Sequence, residues 1–305
     1  MITESWTIER QVEEVYKKVK GMLVEAKRIG NEMSTGKFSS QVLLTIYEKT
    51  MVPVITYNLE TWTDVRKKDM DKLEKIQADS VKSLWQLPVS TPYWGLLNEF
   101  GMDTMEARVD YKKLMLYHNI INSEESRLSR KVVEAQRKYE MQNGWYHEVK
   151  ETAKKYDIEI ENAEGSKKSE WKRKVKKTIK EKMKRTGQEK ASSMKKLRRQ
   201  VGQTQGVQRV IAENGVAKVR EWIKTKLDMW DLGGQLGRME KCVGCEAEED
   251  RVEHVVTCED VQRKMGVKAK LEWLESKKEE DIWKLNTYIT EYVKMKEKDK
   301  QKNGK

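Results

Sequence analysis

Only Pro53, Pro88 and Pro92 interrupt this 305-residue chain with a ring that cannot continue a helix, and none follows Pro92. A backbone so free of breakers, and rich in Lys, Glu, Met, Leu and Gln, is biased to helix, because straight side chains lose little rotamer freedom there. The fold expected is mostly α. A hydrophobic share of 37% supports small packed units joined by solvated helix rather than one large core. No apolar run reaches the ~18 residues of a membrane span. Met1 to Gly30 also lack the apolar centre of a signal peptide, so a nuclear or cytoplasmic location is expected.

Apolar spacing divides the chain. Residues 1–37 read as an N-terminal helix with Val12, Val15, Val19, Leu23 and Ile29 inward, closed by the loop at Ser34, Thr35 and Gly36. From Val42 to Tyr57, Leu43, Tyr47, Met51 and Val54 recur four or three apart, and Pro53 is expected to kink or break that helix. A cap at Thr63 or Asp64 opens a helix carrying Met70, Leu73, Ile76, Val81 and Leu84, ended by Pro88. Thr91 with Pro92 opens the next (Trp94, Leu97, Phe100), closed by Gly101, and Asp103 with Glu106 forms a capping box for a third (Met105, Val109, Leu116, Tyr117, Ile120). Residues 38–122 are therefore expected to pack as one helical domain.

Residues 123–201 read as a long basic helical connector, in which Trp171, Val175, Ile179 and Met183 repeat every four residues, and G-Q-T-Q-G from Gly202 to Gly206 as a linker. A last module over 207–290 holds a helix from Val210 to Met229, the glycine-rich D-L-G-G-Q-L-G, the cysteines, and helices bearing Leu271, Leu274, Trp283, Tyr288 and Tyr292. Residues 291–305 read as a frayed basic tail.

The formal net charge of +12 is concentrated. Between Ser166 and Gln200 stand 16 Lys or Arg against three Glu, a local +13, which leaves the remainder with 46 basic and 47 acidic residues. Such a field attracts polyanions, nucleic acid first among them. The phosphate contacts are assigned to Lys167, Lys168, Lys172, Arg173, Lys174, Lys176, Lys177, Lys195, Lys196, Arg198 and Arg199. A helix that is merely solvated by its charge is the alternative.

All three cysteines fall in C-V-G-C-E-A-E-E-D-R-V-E-H-V-V-T-C, Cys242 to Cys258. An odd number in one short window fits a reducing compartment rather than a disulfide framework. The pattern C-x2-C-x8-H-x3-C offers two thiolates from a turn, and a helix over Glu253 to Asp260 would put His254 and Cys258 on one face. Cys242, Cys245, His254 and Cys258 together fill a tetrahedron and leave no position for water, which makes one structural zinc ion the expected cofactor. The acidic residues between (Glu246, Glu248, Glu249, Asp250) read as a solvated loop, and free, buried thiols are the alternative to metal.

Two blocks carry a family resemblance. L-L-T-I-Y-E-K-T-M-V-P-V-I-T-Y-N-L-E-T-W-T, continued by M-D-K-L-E-K-I-Q and L-W-Q-L-P-V-S-T-P, is similar to the thumb segment that follows the polymerase palm in non-LTR (LINE-like) retrotransposon reverse transcriptases. M-W-D-L-G-G-Q-L-G-R-M-E-K-C-V-G-C with its continuation to Cys258 resembles the zinc knuckle near the end of the same endonuclease and reverse transcriptase proteins. The blocks cover about half the chain, and the lysine-rich stretch between them, with Trp145 and Trp171, matches in character only. The resemblance implies a thumb-like domain, a connector and a knuckle that bind template RNA or target DNA.

The departures are as informative. The sequence has no Asp-Asp dipeptide and no Y-x-D-D or F-x-D-D turn to hold two catalytic metals, and no palm, fingers or endonuclease segment. The resemblance thus implies a fragment without polymerase activity, whose Met1 corresponds to an internal methionine of the ancestral frame. Asp157, Glu170 and Lys172 match the D-x12-E-x-K spacing of a restriction-type nuclease, with Y-D-I-E-I as a candidate strand; in a chain that is 37% charged this match carries little. His118 and His147 lack nucleophilic or acidic partners and read as packed or surface histidines. The function expected is non-catalytic nucleic-acid binding, with no membrane and no small-molecule substrate. A helical scaffold that binds a protein partner, and a decayed transposon remnant without a selected role, are the alternatives.

Overall fold

The computed structural model describes residues 8–32, 39–194, 206–230, 232, 240–276 and 278–303. Ser34 to Gly36, the linker from Gly202 to Gln205, and Gly233 to Gly237 therefore lie outside the described residues. The fold is mostly α, as expected. Its helices are α1 (Ile8–Glu32), α2 (Ser39–Ile46), α3 (Val52–Ile55), α4 (Lys67–Leu84), α5 (Tyr93–Phe100), α6 (Met105–Ile121), α7 (Leu128–Lys138), α8 (Trp145–Lys155), α9 (Lys168–Ser193), α10 (Gly206–Glu213), α11 (Val216–Lys226), α12 (Val252–Thr257), α13 (Glu259–Met265), α14 (Glu272–Glu275) and α15 (Glu279–Asn303). Among the described residues the only β pairing is an isolated antiparallel bridge, Lys241 to Glu249.

The chain forms two compact units. The first comprises Met1–Glu32, Val42–Leu84 and Met102–Glu189. There α1 turns Val12, Val19 and Ala26, seven residues apart, into the core and packs on α4. Pro53 does not break its helix. A proline has no N–H to donate and its ring crowds the carbonyl four residues back, so the ladder opens into a π-helical turn over Tyr47–Met51, with the Val52 amide donating to the Tyr47 carbonyl. Tyr47 and Met51 stay buried, and the Tyr47 hydroxyl donates to Gln77 Oε1 at 3.0 Å.

Helix starts differ from those read off the sequence because hydroxyls and amides found other partners. Helix α4 begins at Lys67, since Asp64 sits at φ 56° and its amide donates to the Glu148 carboxylate at 2.5 Å. The Thr91 hydroxyl donates back to the Pro88 carbonyl at 2.6 Å instead of capping α5, whose cap position is Pro92. Thr104, not Asp103, caps α6 by accepting the Ala107 amide at 3.1 Å.

The segment read as a connector shares a core with α6. Leu114, Tyr117 and Ile121 of α6 meet Val133 of α7, Val149 and Ala153 of α8, and Trp171, Val175 and Ile179 of α9. In Y-D-I-E-I the alternation is real, with Tyr156, Ile158 and Ile160 buried and Asp157 and Glu159 exposed, but it lines a turn entering a 3-10 helix over Ile160–Ala163 rather than a strand.

The second unit comprises Met33–Gln41, Trp85–Gly101 and Lys190–Lys305. The helix expected over 210–229 is broken at Asn214 and Gly215 into α10 and α11, and the Ser39 hydroxyl accepts the Val216 amide at 3.2 Å where α11 begins. Helix α11 packs on α15. Residues 291–303, expected to fray, continue α15 with Tyr292 and Lys296 buried.

Candidate metal centre and basic ridge

Cys242 and Cys245 enter from the bridge between Lys241 and Glu249. The Cys242 amide donates to the Glu248 carbonyl at 2.9 Å, and the Glu246 amide to the Cys242 carbonyl at 2.8 Å, with Glu246 itself at φ 56°. Gly244 is required inside this turn, because a Cβ there would lie 2.5 Å from Val261 Cγ2 and 2.8 Å from the Val261 amide nitrogen. The other two side chains come from the α12–α13 junction. His254 lies on α12, but Cys258 does not continue that helix. It sits extended at φ −70°, ψ 113° between α12 and α13, so its sulfur faces the first amides of α13, Asp260 and Val261.

The four side chains converge. One sulfur or nitrogen from each of Cys242, Cys245, His254 and Cys258 lies within 4.8 Å of all the others. Cys242 Sγ is 3.9 Å from Cys258 Sγ, and Cys245 Sγ is 3.3 Å from His254 Nε2. A tetrahedron with metal–sulfur arms of ~2.3 Å has edges of ~3.8 Å, so the donor set fits one metal ion. Backbone amides of Glu248 and Ala247 pull the Cys245 thiol down to about 6, whereas burial pushes Cys258 up to about 11. Thiolate character is thus already favoured at Cys245, and the buried sulfur needs a cation beside it to ionise.

The acidic residues between the two half-sites are not simply a solvated loop. Glu248 Oε2 lies 2.9 Å from His254 Nδ1, an arrangement that leaves Nε2 directed at the thiols. Asp250 is fully buried and pairs with Lys296 of α15, which also reaches Glu240 at 2.5 Å. Burial alone would depress the Lys296 ammonium, but these carboxylates outweigh it and raise its pKa. Tyr292 accepts the Val243 amide at 3.3 Å and Tyr288 donates to the Val255 carbonyl at 3.3 Å, so α15 clamps both halves of the centre. Neither clamp is visible in cysteine spacing, because the partners lie 33 to 49 residues away.

The basic residues sort differently. Lys167 precedes α9, and Lys168, Lys172, Arg173, Lys174, Lys176 and Lys177 lie on it, all exposed. Lys195, Lys196, Arg198 and Arg199 lie outside the described residues. The assignment omitted Lys180, Lys182, Lys184 and Arg185, which are exposed on the same helix. Arg173, Lys177, Lys180 and Lys184 follow one another at steps of four, three and four, on the side opposite buried Trp171, Val175 and Ile179. At a rise of ~1.5 Å per residue that row runs ~16 Å. None of the basic side chains from Lys167 to Lys190 forms an ion pair among the described residues.

Of the remaining candidates, His118 is buried, stacks on Trp171 at 6.0 Å and donates through Nε2 to the Ser166 carbonyl at 3.0 Å. Asp157 and Lys172 are exposed, as is Glu170, and nothing gathers them into a site. Comparison of the chain with protein-family models, with curated proteins and with solved structures returns no match. No helix among the described residues is long and apolar enough to cross a membrane.

Proposed function

We propose that this chain is a non-catalytic nucleic-acid-binding protein of the non-LTR retrotransposon reverse-transcriptase kind, corresponding to thumb, connector and zinc module, which holds template RNA or target DNA along the ridge of α9. The observation that carries the reading is the run of exposed basic side chains from Lys167 to Lys190, without an ion pair among the described residues, on a helix whose other face is packed. Internal ion pairing would have neutralised such a ridge; left open, it suits phosphates. The metal of the second unit is zinc, because three thiolates and an imidazole in a closed set match its preferences and leave no water to activate. Its role is structural, joining the Cys242–Cys245 turn to α12 and α13.

Replacing Arg173, Lys177, Lys180 and Lys184 together by glutamate tests the reading. All four are exposed, so the fold should persist, while binding of a labelled duplex or single strand in a filter assay at low salt should fall on the order of 100-fold. Undiminished binding, or no binding by the unaltered protein, would instead favour a helical scaffold that recognises another protein.

A further inference from the structure

In the first unit a pocket of about 670 Å³ opens between α1 and the Pro53–Trp62 segment. Its placement follows from two turns of chain. On α1, Val12 and Val19 face the core, which leaves Val15 and Lys18 on a neighbouring face to line the pocket. After α3, Asn58 takes the left-handed conformation at φ 58°, which buries Leu59 and leaves Tyr57 outside, 79% exposed at the pocket rim. A large aromatic held in water beside an apolar pocket marks a surface made to be covered.

The lining chemistry selects the occupant. Val15, Pro53 and Trp62 supply apolar surface, and Tyr57 supplies a free ring. The Asn58 side chain makes no hydrogen bond among the described residues, so its amide can serve both a donor and an acceptor on a ligand edge. Among the described lining residues Glu14 is the only acid and is held by Lys17 at 3.0 Å, whereas Lys18 has no ion pair among the described residues. A flat apolar face with a hydrogen-bonding edge, attached to an anion, is what these groups complement.

We infer that the pocket is a stacking site for an unpaired nucleobase of a single-stranded nucleic acid, with Tyr57 and Trp62 at its ring faces, Asn58 at its edge and Lys18 at the adjoining phosphate. This rests on the nucleic-acid reading above and adds a preference that the α9 ridge cannot supply. The ridge exposes no aromatic side chain, since Trp171 is buried, and so meets phosphates alone. Stacking on aromatic rings is what distinguishes single strands from a duplex whose bases are already stacked.

The test uses the full chain, a fluorescein-labelled thymidine homopolymer and a labelled blunt duplex of the same length, read by anisotropy. Tyr57→Ala removes little buried surface and should weaken the single strand about tenfold while leaving the duplex unchanged, and Tyr57→Trp should restore binding. Equal single-strand affinity in Tyr57→Ala, or an equal loss on both probes, overturns the pocket assignment and leaves the ridge reading standing. Failure of the unaltered protein to bind either probe overturns both.

Discussion

The imidazole of His254 has two nitrogens, and a metal centre can use only one at a time. Glu248 favours one of them, because a carboxylate 2.9 Å from Nδ1 accepts that N–H and leaves the Nε2 lone pair free to take a metal ion. Glu248→Gln should therefore keep one zinc per chain but weaken its affinity about 10- to 100-fold, measured by competition against a chromophoric chelator. An unchanged affinity would show that the ring is oriented by packing alone. The four converging residues were legible in the sequence, because C-x2-C and H-x3-C are short local spacings, although Cys258 meets His254 from the junction between α12 and α13 rather than from one helical face. Glu248 and Asp250 were not. Each lies in an acidic run that looks solvated, and the partner of Asp250 is Lys296, 46 residues on. Gly244 is similar, since only the approach of Val261 explains why no side chain fits there.

Helix α9 carries two separable properties on opposite faces. Its inner stripe is structural: Trp171 is buried, stacks on His118 and donates to the Leu114 carbonyl at 3.2 Å. Trp171→Ala should lower the stability of the first unit by about 3–5 kcal/mol, seen as an earlier urea midpoint. Lys177→Glu, on the exposed ridge, should stay within ~0.5 kcal/mol of the unaltered protein. Comparable losses in both would mean that the ridge packs against something. The four-residue repeat of this helix could be read from the sequence because amphipathic spacing is a property of the element itself. The π turn ahead of Pro53 could not, since proline alone does not say whether a helix breaks or absorbs the strain. Nor could the second half of α15: Tyr292 was legible as an apolar helix position, but nothing in the charges around Lys294 to Lys300 shows that Lys296 is buried and docks it.

At the scale of the whole molecule, a mostly α chain followed from propensity and periodicity, which are short-range signals. The grouping of helices into two units did not, because it depends on contacts such as that between Ser39 and Val216, 177 residues apart, for which no local pattern exists. The function proposed for the protein rests on one electrostatic property, an exposed basic ridge that no acid among the described residues neutralises. Phosphates that replace counterions release them, so the logarithm of the binding constant should fall linearly with the logarithm of salt, by ~0.9 per contact on duplex and ~0.7 on a single strand. Titrating the full chain on a labelled duplex from ~50 to ~200 mM salt measures this directly. The account predicts a linear fall whose slope shrinks by roughly 3 to 4 when Arg173, Lys177, Lys180 and Lys184 are reversed together; an affinity indifferent to salt, or a slope unchanged by that reversal, would contradict it.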